Sequence, residues 1–175
     1  MTFLSSALTE FVTLAAPPDF MRAMADAPPD APRVPFSDEA LALRAIEAGL
    51  DDARASGTRA AVCLADLALA ETLPASPDTL DAADAWLLHR LRDGDRLYRV
   101  GSTLVVVASG LDHPRAGEQL AERVRALPAG GGAPIVGLAI YPVHGDDAVT
   151  LFDRARASAR RDRLQRAAAR DALVS

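Results

Sequence analysis

The sequence predicts an α+β fold: a sheet with helices on its faces, preceded by an N-terminal helical extension. Three observations carry this expectation. Apolar residues recur at helical spacing in some segments and form short continuous runs in others. The two kinds of segment follow one another in the order α-β-α-β-β-α-β-α. Two adjacent strand runs are joined by a Gly-Ser-Thr turn, the signature of a β-hairpin. Helices and strands interleaved around a hairpin describe a layered α+β domain.

The 175 residues match one domain plus an extension. Half are apolar and a quarter charged, the balance of a globular chain. Aromatics are few, so the core must rest on Leu, Val, Ile and Ala. At this size roughly 70% of the unfolded surface is buried, which needs no covalent staple. Cys63 is alone, so an internal disulfide and a cysteine-rich metal site are excluded, and a buried, reduced thiol in a cytosolic protein is expected. No apolar run approaches the ~18 residues of a membrane span. The first residues lack the basic start of a signal peptide and include Glu10, and are expected to be a cytoplasmic amphipathic segment. A net charge of −5 speaks against non-specific nucleic-acid binding. The chain contains no Lys and no Asn, so all 19 basic residues are Arg.

In residues 1–35, Phe3, Leu4, Leu8, Phe11 and Val12 share one helical face, and Pro17, Pro18, Pro28, Pro29, Pro32 and Pro35 then break the chain. This describes a short helix on a Pro-rich tether, a candidate contact for a protein partner or a homodimer, or else a partly ordered tail. The domain proper spans 36–175. Ser37 can cap the first helix, with Asp38 and Glu39 in its first turn, Leu43, Ile46, Leu50 and Ala53 on its apolar face and Gly57 at its end. Residues 60–66 form a buried strand ending in Asp66. Residues 67–77 are an irregular link, and a second helix is expected from Asp78 to Arg92 with Trp86, Leu87 and Leu91 inward. Gly94 turns the chain into strand Arg96–Val100, Gly101–Thr103 form a tight turn, and Leu104–Ala108 is the return strand. A third helix covers Pro114–Leu127, 128–134 is a loop, Ile135–Tyr141 is a buried strand, and a long helix runs from Asp146.

These landmarks resemble the GGDEF (diguanylate cyclase) family over residues 36–164. RDGDRLYRVGSTLVVVASG is similar to the family's hairpin, where Arg-x-Gly-Gly-(Asp/Glu)-Glu-Phe occupies the turn. LAERVRAL resembles the helix that follows it, and GLAIYPVHGDDAVTLFDRA the last strand, Tyr-Pro turn and final helix. The resemblance implies a nucleotidyl-cyclase-like fold with a ferredoxin-like core and a central, mostly antiparallel sheet.

It also implies a reaction, the conversion of two GTP molecules into cyclic di-GMP, and the parts that reaction needs. Paired acids hold divalent metals that bridge the triphosphate. Glycines admit backbone N–H groups to the phosphates, a basic side chain balances their charge, and an amide and an acid read guanine. The signature turn is here a degenerate Gly101-Ser102-Thr103 with no acid. Asp66 matches one metal-binding acid, but its partner position holds Ala68, and a lone carboxylate is a poor Mg²⁺ site. The guanine-reading Asn and phosphate-binding Lys are absent with their residue types. The expectation is a domain that is not an enzyme, without catalytic residue, metal or cofactor.

A second implied site has fuller support. The family's inhibitory product site resembles Arg-x-x-Asp just upstream of the signature turn, and Arg92-Asp93-Gly94-Asp95 fits it, with Arg123 supplying the arginine of the following helix. Arg54, near the end of the first helix, matches an arginine that a second protomer sometimes donates. Arginine forks onto phosphate oxygens or guanine O6 and N7, and a carboxylate accepts from the guanine N1–H. The structural reading stands beside it. Arg90-x-x-Asp93 is a second match in the same segment, and Arg92 can instead answer the negative end of a helix while Asp93-Gly94 makes a turn. The two functional expectations are a cyclic di-GMP receptor regulating a partner and a nucleotide-independent interaction scaffold; residual GTP binding without turnover is a third. His89, His113 and His144 share no metal-ligand spacing. The arginines of the last helix, interleaved with Asp153, Asp162 and Asp171, read as a solvated face.

Overall fold

The structure, a computed structural model, describes residues 39–67, 77–127 and 133–174. The expected N-terminal helix and tether, the Ser37 cap, Ala68 with most of the 67–77 link, and most of the 128–134 loop lie outside these residues. The elements are α1 (Glu39–Ser56), β1 (Arg59–Asp66), α2 (Pro77–Leu88), β2 (Arg96–Val100), β3 (Thr103–Leu111), α3 (Pro114–Arg125), β4 (Ile135–Tyr141) and α4 (Ala148–Val174). Their order is the expected one.

The strands form one antiparallel sheet in the order β2-β3-β1-β4. Central β1 pairs on both sides, with Cys63 opposite Val106 and Leu138. Its continuous apolar run follows from burial on both faces. Ala61, Cys63 and Ala65 face α2 and α3, where Trp86, Leu87, Leu120 and Val124 close one core. Ala60, Val62 and Leu64 face α1 and α4, where Ile46, Leu50, Leu151 and Phe152 close the other. Burial pushes the Cys63 thiol up to about 12, which makes it inert.

Small residues set the spacing of the second layer. A Cβ on Gly137 would lie 2.0 Å from the Ala155 carbonyl oxygen and 2.7 Å from the Ala159 nitrogen, so α4 lies directly on the β4 backbone. At the outer edge of β4, the Val136 N–H donates to Asp162 Oδ2 (2.9 Å) and the Ile140 N–H to His144 Nδ1 (2.8 Å). His113 accepts from the Arg115 N–H at the start of α3 (3.1 Å), with Pro114 in the first turn, where its missing N–H costs nothing. Two of the three histidines are thus acceptors for backbone donors. Asp147 caps α4 through Thr150, and that hydrogen bonding holds its carboxyl below the ordinary value.

Several boundaries differ from the sequence expectation, among them the start of α4, which lies at Ala148 and not at Asp146. The second helix ends at Leu88, not Arg92: the Arg90 and Leu91 N–H groups both bond to the Leu87 carbonyl (2.8 and 3.0 Å), a tightening that folds Leu91 back onto the core. Thr103 belongs to β3, paired with Val100, so the turn is Gly101-Ser102 alone, with Gly101 at φ +61°. Strand β3 continues to Leu111, because β1 is long enough to pair with it through Arg59. The third helix ends at Arg125, where the Ala126 N–H caps it onto the Glu122 carbonyl.

Candidate functional site

Strand β2 carries a candidate site at each end. Asp95 precedes it and Gly101 follows it, about 20 Å apart at the usual rise of a strand.

At the far end the hairpin turn lies against the end of β1. Thr103 is opposite Asp66, and the Leu67 N–H donates to the Ser102 carbonyl (3.0 Å). Asp66 is three-quarters buried, with Ser102 Oγ 3.5 Å from one carboxylate oxygen and the Arg163 guanidinium of α4 on the other. A cavity of about 240 Å³ opens beside this pair, between the hairpin and α4, lined by Leu64, Val100, Phe152, Arg156, Arg160 and Arg163 among others. Arg156 pairs with Glu39 (2.5 Å) and stacks on Phe152 at 4.3 Å. A divalent cation takes six or more oxygen ligands. Here one carboxylate is already engaged by a guanidinium, and the facing turn offers a hydroxyl. Among the described residues no group of three His, Cys, Asp or Glu is placed to hold a metal ion. This donor set does not fit the metal that the resemblance implies.

Sequence reasoning missed Arg156, Arg160 and Arg163 as cavity residues and placed them on a solvated face. Their spacing of four and three residues was the available signal, because it sets three guanidinium groups along one side of α4.

At the near end, Arg92-Asp93-Gly94-Asp95 closes a turn. The Asp95 N–H donates to the Arg92 carbonyl (2.9 Å), and Asp95 Oδ2 accepts from the Arg92 N–H (3.0 Å). Arg123 reaches across from α3, with Nη1 on the Arg90 carbonyl (3.0 Å) and Nε on the Gln119 carbonyl (3.4 Å). The helix-end reading of Arg92 is therefore corrected: α2 stops four residues earlier, and the Arg90 carbonyl beyond it is answered by Arg123. The Arg92 side chain is exposed and that of Arg123 half-buried, and neither has a carboxylate within 4.0 Å among the described residues.

Arg54 is not brought to this turn. It stands on α1, on the opposite face of the sheet from α3, bound to Glu47 (3.2 Å), Asp51 (2.8 Å) and the Asp146 carbonyl. Hydrogen bonding to Glu47 raises its pKa further above the ordinary arginine value.

Between the two ends lies a cluster the sequence reading did not single out. Arg99 of β2 is buried, with Nη2 2.8 Å from Asp84 and 3.0 Å from Asp81, one turn apart on α2. Desolvation pushes the Asp84 carboxyl up to about 6 against the opposing pull of Arg99.

No protein-family model matches this sequence, and no curated protein matches it. Solved structures do. The GGDEF domain of YfiN (TpbB) from Pseudomonas aeruginosa superposes with a TM-score of 0.59 at 21% identity, over 74% of this chain and 91% of that one. A sensory box/GGDEF family protein from Caulobacter crescentus gives 0.55 at 23% identity, over 75% and 96%. The diguanylate cyclase SiaD of P. aeruginosa, in complex with its activator SiaC, gives 0.56 at 17% identity, over 93% and 66%. No helix among the described residues is long and apolar enough to cross a membrane. With its antiparallel sheet, its hairpin and these neighbours, the chain has the fold of the GGDEF domains.

Proposed function

We propose that this chain is a non-catalytic signalling domain of GGDEF fold that binds cyclic di-GMP at Arg92, Asp95 and Arg123 and passes occupancy on to a protein partner. The observation that supports this reading is the contrast between the ends of β2. At the hairpin end the one carboxylate is engaged by Arg163 and faces a turn without an acid. At the other end two guanidinium groups have no carboxylate partner among the described residues, at a turn that also carries the carboxylates of Asp93 and Asp95. Phosphate and guanine are ligands for that second arrangement: the arginines fork onto phosphate oxygens or the guanine O6/N7 edge, and Asp95 Oδ1 accepts from the guanine N1–H. Contacts of about 1–3 kcal/mol each, made three times, approach the roughly 8 kcal/mol of micromolar binding. Arg54 enters only if a second copy of the chain supplies it. That a protein partner is engaged is in keeping with SiaD, whose structure holds its activator SiaC.

Calorimetric titration with cyclic di-GMP tests the reading. Wild type is expected to bind at micromolar concentration and Arg92→Ala to bind at least tenfold more weakly. Absence of heat with wild type, or equal affinity in the variant, removes the receptor. Incubation with GTP and Mg²⁺ or Mn²⁺ tests the other half, and formation of cyclic di-GMP would show the domain to be an enzyme. The arginine-lined cavity beside Asp66 favours one second reading, retention of GTP without turnover; a filter-binding assay with labelled GTP against Arg163→Ala separates it from the first.

A further inference from the structure

We propose that Arg90 is a further ligand contact at the near end of β2, presenting the outer face of its guanidinium, stacked on Trp86, to a purine ring of the bound dinucleotide. This rests on the reading that the ligand occupies Arg92, Asp95 and Arg123.

The Arg90 guanidinium carbon lies 3.9 Å above the centre of the Trp86 ring. Its Nη1 is also 3.5 Å from the Trp86 carbonyl, at the long limit of a hydrogen bond. Trp86 is buried and belongs to the core of α2, whereas Arg90 is exposed. The indole is thus a fixed support with the guanidinium over its ring, and the Arg90 side chain is exposed to solvent. Guanidinium planes stack on aromatic rings and on nucleobases alike, so the layer can be extended outward by one more flat ring.

Position and charge bring the ligand to this layer. The Arg90 carbonyl is held by Arg123 Nη1 at 3.0 Å, and Arg92 follows two residues later, so three arginines converge on the segment between α2 and β2. None of the three has a carboxylate within 4.0 Å among the described residues, whereas Arg54, Arg99, Arg156, Arg163 and Arg166 each have one. Set against Asp93 and Asp95 of the same segment, the three arginines leave a local excess of one positive charge in a chain of net charge −5. A ligand that joins phosphates to purine planes satisfies both features at once, with phosphate on Arg92 and Arg123 and a base on Arg90.

Trp86 is the one tryptophan of the chain, so its emission reports on the layer directly. The experiment titrates cyclic di-GMP into wild type, Arg90→Ala, Arg90→Lys and Arg92→Ala, following heat and Trp86 fluorescence, with melting temperatures recorded for each. The expected result is a ligand-dependent change of Trp86 emission in wild type and binding about tenfold weaker in Arg90→Ala. Arg90→Lys is expected not to recover the loss, because an ammonium keeps the charge and loses the plane. Full recovery by lysine overturns the stacking assignment. So does a lowered melting temperature with unchanged affinity in Arg90→Ala, which would make Arg90 a cover for Trp86 and nothing more. If Arg92→Ala loses binding while Arg90→Ala stays within twofold of wild type, this inference fails and the receptor reading stands. If wild type binds nothing, both fall.

Discussion

Asp84 is an ionisable group enclosed by protein, and its behaviour with pH follows from that. Its folded-state pKa, about 6, lies above the 3.8 of an unperturbed aspartate. The folded protein therefore holds this proton more tightly than the unfolded chain. Its contribution favours folding at the acid end and is lost as pH rises from about 4 to about 6. Asp84→Asn removes this dependence. Relative to wild type, the variant is expected to gain on the order of 2–3 kcal/mol between pH 4 and pH 7, measured by urea unfolding at both values. A difference that stays constant with pH would mean that Asp84 is not raised. Removing the opposite partner acts in the other direction. Arg99→Met leaves a buried carboxylate without its cation and is expected to cost about 3–5 kcal/mol at pH 7. Neither role was legible in the sequence. Asp81 and Asp84 are spaced like any acidic pair on a helix, and only the strand register puts Arg99 beneath them.

Among the elements, the pairing of α4 with β4 is the most sensitive to a single atom. A methyl group on Gly137 meets backbone atoms of α4, which cannot rotate away as a side chain would. Gly137→Ala is expected to displace the helix and to cost about 3 kcal/mol, a fall of roughly 10 °C in melting temperature. Gly94 provides the comparison: nothing lies within 4 Å of a Cβ there, and Gly94→Ala is expected to stay within about 0.5 kcal/mol of wild type. The Arg163–Asp66 pair that ties α4 to the hairpin is partly exposed and worth less, about 1 kcal/mol at most, so Arg163→Ala is expected to fold normally. The order and type of every described element were legible, because periodicity and turn residues record them directly. Their ends were not. Whether the second helix stops at Leu88 or Arg92 depends on the pull of Leu91 into the core, and Thr103 pairs as a strand residue because β1 offers it a partner in Asp66.

For the whole molecule, the sequence resemblance and the solved structures agree on the fold, and the site is legible to different depths at its two ends. The turn of Arg92 and Asp95 and the reach of Arg123 were both marked by position along the chain. The Arg90–Trp86 layer was not, because in a helix residues four apart are neighbours whether or not they meet. Arg163 was hidden for a stronger reason: it lies 97 residues from Asp66, and no local pattern links them. Their pairing bears on the response to metal ions. With the acid already neutralised by an internal cation, millimolar Mg²⁺ is expected to leave the melting temperature of wild type unchanged, as scanning calorimetry with and without the ion can show; a rise would point to a cation site with ligands beyond Asp66.

One detail at the margin of the sheet governs how the protein meets others of its kind. Along β4 the peptide hydrogens that face away from β1 would invite another chain to lie alongside, yet Asp162 and His144 already occupy two of them. A stranger's backbone arriving there must first dislodge a carboxylate and an imidazole, so on this flank the two side chains act as bolts on a door.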